Sequence, residues 1–167
     1  MRSGPLLVMC GLALSILSVG AQTANYGTSV PQSSPEDATT ALRGGFDQVS
    51  GWVTKAAEMV PAEKYSYKPV DTVRTFGQLI AHIADSYTYF CAVTAGKKVE
   101  WSEAIEKGPT DKATLMPKLK QALNGCTAAN KNPVKVHELA QNMGHTALHY
   151  GNVITYMRMM GLVPPSS

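Results

Sequence analysis

The sequence predicts an all-α protein: a four-helix bundle with a long crossover between helices 2 and 3, in an up-down-down-up order. Three observations predict it. Apolar residues recur every three or four positions in four separate stretches, helix start and stop residues bracket those stretches, and nowhere is there the sustained alternation of a half-buried strand. Four helices of this length in one small domain bury their apolar stripes most economically against one another.

The first helix opens at Ser34-Pro35-Glu36-Asp37, an N-cap serine, a proline at the first helical position and acids in the first turn. Leu42, Phe46, Val49, Val53, Ala56 and Val60 form its stripe, Gly44-Gly45 suits the close approach of a neighbour, and Pro61 starts a breaker-rich connection. Thr75-x-x-Gln78 is a capping-box pattern for the second helix, which runs to a stop at Gly96 with Leu79, Ile83, Tyr87 and Phe90 as its main stripe. A connection over residues 97–110 follows. The third helix starts between Asp111 and Thr114 and lines one side with Leu115, Leu119, Leu123 and Cys126; Pro117 must lie in its first turn or kink it. A turn at residues 130–133 leads to the last helix, over 134–160, with Val136, Leu139, Met143, Ala147, Ile154 and Met157 as its stripe. Gly161 ends it and Pro164-Pro165 forbid continuation.

Before the first helix, Met1-Arg2, an apolar run and the small residues Val19-Gly20-Ala21 form a secretory signal over 1–21, cleaved after Ala21. Glycines and serines interrupt that run, which is already short for a membrane span. Residues 22–33 read as a polar tail and 34–165 as one domain. The expected location is periplasmic or secreted, with no membrane association after cleavage. The mature chain would carry 14 basic and 12 acidic side chains, scattered, which does not suggest nucleic acid as a partner.

Two cysteines remain in the mature chain, Cys91 and Cys126. In an exported protein they read as a disulfide, with two buried free thiols as the alternative. Each lies about twelve to fifteen residues into its helix, so at about 1.5 Å per residue their depths match when the second and third helices run parallel. Antiparallel helices would separate the sulfurs far beyond bonding reach. The bridge and the up-down-down-up order therefore support each other, and the long connection spans the crossover.

The chemistry gathers on histidine. His145 and His149 are one turn apart, about 40° around the helix, so both imidazoles reach one cation. No glutamate follows His145, which excludes the His-Glu-x-x-His zinc-protease pattern. His82, on a largely apolar helix, needs a hydrogen bond or a metal if buried, and it completes a three-nitrogen set with positions open to water or substrate. Asp85, about 60° around from His82, has several readings: a hydrogen bond to His82, a partner that orients a ligand, a base for a bound water, or a solvated charge at the bundle edge. His137 reads as a surface residue. Cys91 lies about half a turn around the helix from His82, which argues against cysteine ligation. Trp52 and Trp101 read as core or loop anchors, Tyr87 and Tyr89 as pocket lining, and Arg158 as lining the site or serving the helix end.

"LIAHIADSYTYFCA" resembles the second-helix motif of the DinB-like (damage-inducible) superfamily, and "GHTALHYGNVITYMRMMGLVPP" resembles its last-helix motif. "VPAEKYSYKPVDTVRTFGQL" is similar to the family's connection between helices one and two. The resemblance covers residues 36–165. It implies a metal-binding four-helix bundle with a divalent ion, zinc or nickel in related proteins, and its three ligand positions fall on His82, His145 and His149. Characterised relatives include thiol-dependent S-transferases and a mycothiol-dependent maleylpyruvate isomerase domain, and homodimers are common. Export would separate this chain from cytoplasmic thiol cofactors. The expected function is an exported metal-dependent enzyme, hydrolase or thiol-transferase-like, acting on a small-molecule substrate, with Asp85 as acid–base or orienting group. The alternatives are a non-catalytic metal-binding or stress-related envelope protein, and a metal-free helical interaction module.

Overall fold

Capping and periodicity place the helices where the sequence predicts them. The computed structural model describes residues 35–130 and 136–167, with side chains from Ala38 onward. The signal segment, the polar tail, Ser34 and most of the 130–133 turn lie outside the described residues. Among those described there are four α-helices and no strand: α1 (Pro35–Met59), α2 (Phe76–Thr94), α3 (Lys112–Ala129) and α4 (Val136–Met159), with one 3₁₀ turn at Ala62–Lys64.

The α2 capping box is complete. The Gln78 amide donates to Thr75 Oγ1 at 3.1 Å, and the Thr75 amide donates to Gln78 Oε1 at 2.9 Å. Gly96, at φ 80°, ends the helix in the left-handed conformation that glycine adopts without penalty. Most of α2 is buried, on more than the single stripe expected, because it is packed by α3 on one side, by α4 on another and by the crossover outside. On α3 the Asp111 carboxylate accepts from the Thr114 amide at 3.0 Å. Pro117 lies within α3, past the first turn; it forgoes one backbone bond and the helix continues to Ala129.

Helix direction can be read from paired residues. Gly45 lies against Met143 and Trp52 stacks on Tyr150, so numbers rise together along α1 and α4 and those helices are parallel. Asn142 touches Cys91, His149 faces His82 and Tyr156 bonds the Arg74 carbonyl, so α2 and α4 are antiparallel. Gly77, at the start of α2, abuts the Thr110 carbonyl just before α3, while Cys91 and Cys126 stand at disulfide distance near the far ends, Cα–Cα 4.9 Å. The second and third helices are therefore parallel, as the cysteine spacing predicts, and residues 95–111 make the crossover.

The core is Phe46, Val53, Phe76, Ile80, Ile83, Tyr87, Leu115, Leu119, Leu139, Val153 and Met157, all fully buried. On α4 the buried line differs from the expected stripe. Asn142, Thr146 and Tyr150 face inward, while Ala147 and Val136 are exposed. Polar side chains can occupy that face because partners await them: Asn142 Nδ2 donates to Cys91 Sγ at 3.2 Å and Thr146 Oγ1 donates to the Asn142 carbonyl at 2.8 Å.

Candidate metal centre

With α2 and α4 antiparallel and in contact, His82 comes opposite the His145/His149 pair. Ring centroids are 5.3 Å apart for His82–His145, 4.6 Å for His82–His149 and 4.4 Å for His145–His149. Each imidazole offers a ligand nitrogen, and the three nitrogens all lie within 4.8 Å of one another. His82 is 8% exposed and the other two are half-buried.

This donor set fits a divalent ion. His145 Nε2 and His149 Nε2 are 3.2 Å apart, and a tetrahedral ion with nitrogen ligands at about 2.0–2.1 Å would hold two of them about 3.3 Å apart. Burial, reinforced by neighbouring positive charge, lowers the pKa of both rings from 6.5 to about 4. Both are therefore neutral at pH 7 and keep the lone pair a cation needs. Their Nδ1 atoms are buried and have no hydrogen-bond partner among the described residues.

His82 is held differently. Glu106, on the crossover, brings Oε2 to 3.0 Å from His82 Nδ1. A carboxylate oxygen accepts, so Nδ1 is the donor of this pair, and in the neutral ring that tautomer leaves the lone pair on Nε2. Arg74, just ahead of the α2 cap, holds the same carboxylate through Nε at 2.6 Å and Nη2 at 3.3 Å. Arg74 Nη2 is also 3.4 Å from His82 Nδ1, a contact rather than a hydrogen bond once that nitrogen is itself a donor. The result is a guanidinium–carboxylate–imidazole relay ending at the three-histidine cluster.

Asp85 is buried, at 4% exposure, and so is no solvated charge at the bundle edge. Its two oxygens accept from the backbone amides of Ile105 and Glu106, at 3.0 and 2.9 Å. It thus pins to α2 the segment that carries Glu106. Asp85 acts on the cluster one residue removed, and Glu106 is the carboxylate that touches His82.

Aromatic rings wall one side: Trp101 lies 5.6 Å from both His82 and Tyr89, and Phe90 lies 5.5 Å from His145. A cavity of about 550 Å³ meets the cluster at His149 and is lined as well by Arg74, Leu79, Glu106, Asn152 and Tyr156. At His149 the cluster is therefore bordered by a cavity whose wall also carries a guanidinium and a phenol. Trp101, expected as an anchor, lines this site while remaining 41% exposed. His137 is exposed, Trp52 stacks on Tyr150, and Arg158 bonds Ser167 near the end of α4.

Sequence reasoning missed Glu106 and Arg74. Glu106 sits in a non-helical connection where no periodicity assigns a facing. The signal that was present is an acid in a long crossover that has to pass the buried histidine.

A family model for the DinB superfamily matches residues 46–132. The chain belongs to the DinB superfamily. The match spans most of α1, then α2, the crossover and α3, so it includes His82, Asp85 and Glu106. His145 and His149 fall beyond it, and their assignment rests on the convergence just described. No curated protein and no solved structure matches the chain.

Proposed function

We propose that this DinB-superfamily protein is an exported metal-dependent enzyme, a hydrolase or thiol transferase for a small-molecule substrate, built on His82, His145 and His149. One observation carries the reading: three ligand nitrogens within 4.8 Å of one another beside a cavity of about 550 Å³. A zinc or nickel ion held there would supply Lewis acidity, polarising a substrate oxygen or drawing the pKa of water or a thiol toward neutrality.

The chain's own residues do the rest. Glu106 fixes the His82 tautomer so that Nε2 faces the site, and Asp85 holds Glu106 in place, the orienting role among those its sequence position allows. Arg74 presents a guanidinium at the cavity wall, where it orients an anionic or carbonyl group of the substrate. Trp101 and Phe90 pack on His82 and His145 and line one side of the cluster. Export is supported by the disulfide-distance cysteines, which suit an oxidising compartment, and no described helix is long and apolar enough to cross a membrane.

The cavity favours catalysis over simple sequestration, because an ion held only for structure needs no open approach. The test is elemental analysis of untagged protein, then turnover assays with thiol acceptors and small esters or amides. One ion per chain, lost in His149→Ala, together with turnover of one substrate class, is the expected result. Metal without turnover across broad panels would favour the envelope metal-binding reading. No metal would leave a packed helical module.

A further inference from the structure

Between α2, α3 and the crossover lies a second cleft, of about 770 Å³, with no histidine in its lining. Its size suits a small ligand, and its walls are predominantly apolar. The helices leave it open because Ala92, Ala95, Ala122, Gly125 and Ala128 face it with little side chain, and Ile105 of the crossover closes one side. Its lining residues include two cations, Lys97 and Lys118, and no carboxylate.

The two lysines stand at opposite ends. Lys97 follows the C-terminus of α2, level with the end of α3, where Ala128 and Ala129 lie. Lys118 sits in the first half of α3, its ammonium beside Gly108 of the crossover. Along the α3 axis the cleft runs from Lys118 to Ala129, about 16 Å. Neither lysine makes an ion pair among the described residues, although Lys68, Lys107 and Lys120 all do. Two unpaired cations facing one apolar hollow form a charge pattern that a complementary ligand would complete.

We infer that this cleft binds an elongated dianion with an apolar middle, of the α,ω-dicarboxylate class. The hydrocarbon lies along the alanines and each terminal anion meets one lysine. The site is separate from the histidine cluster and does not depend on the metal reading.

Isothermal titration of the full-length protein with dodecanedioate tests it. Saturable one-to-one binding is expected, at least tenfold tighter than dodecanoate, with none for dodecanediol. Lys97→Ala and Lys118→Ala should each weaken it at least fivefold. Gly125→Leu should abolish it: a Cβ there meets nothing within 4 Å, so the variant folds while its side chain fills the cleft. Its circular dichroism melt should match the parent. Failure to saturate, equal binding of the diol, or full binding by a folded Gly125→Leu protein overturns the inference. So does a shift from dimer to monomer in that variant by light scattering, which would make a second copy of the chain the occupant.

Discussion

Glu106 reaches His82 across 24 positions of sequence, and that contact chooses which imidazole nitrogen is left free. Carboxylate partners of metal-binding histidines typically account for ten- to a hundredfold in metal affinity. Glu106→Gln should therefore weaken binding of a divalent ion by about that factor in a chelator competition, with little change in the unfolding midpoint of the metal-free protein. Unchanged affinity would reduce Glu106 to a loop anchor. The other two histidines make a prediction about acid. Their folded pKa values lie at about 4 and the unfolded value is 6.5, so between those limits the unfolded chain binds protons that the folded chain refuses. Stability of the metal-free protein is then fully present above about pH 6.5 and falls as the pH drops toward 4. Both rings are partly exposed, so solvent screening moderates the loss. Urea midpoints should be lower at pH 5 than at pH 7, and His149→Leu should shrink the difference. Equal midpoints in the parent would mean the rings are not held neutral.

Each helix boundary at the scale of the element is a local device, and most were legible. The capping box at Thr75 and Gln78, the aspartate cap at Asp111 and the glycine stops at Gly96 and Gly161 involve residues within four positions of one another. Close approaches are different in kind. Gly77 must stay small because any Cβ would run into the Thr110 carbonyl and crowd that of Tyr65, both of them backbone atoms that cannot swing aside. Gly77→Ala should cost about 1–3 kcal/mol by overpacking, despite alanine's better helix propensity, measured by urea denaturation. A neutral result would show that the crossover yields at Thr110. The buried face of α4 was the least legible, because Asn142, Thr146 and Tyr150 read as polar from sequence and are accommodated only through partners on other elements or in the preceding turn.

For the molecule as a whole, the cysteine pair and the topology stand together. Closing a loop with a sequence separation of 35 removes denatured-state entropy equivalent to about 4 kcal/mol at most. The double variant Cys91→Ser/Cys126→Ser should lose stability up to that amount in denaturant titration, yet keep its helical spectrum and the affinity of the histidine cluster for an added divalent ion. Metal retention follows from the bridge facing α3 while His82 faces α4. Loss of metal on removing the bridge would show that the disulfide also sets the spacing of α2 and α4.

Helix positions, the bundle class, the parallel central pair and the chelating His145/His149 step were all readable from the chain, because periodicity, capping and an i, i+4 pair depend on neighbours within a turn or two. The cysteine spacing added one long-range constraint and thereby the topology. Folding alone revealed the convergence of His82 on that pair, the Arg74–Glu106–His82 relay, the anchoring of the crossover by Asp85, and the cation-ended cleft. These join residues from different elements, and their register depends on how the crossover and α4 pack against α2, which no local pattern records.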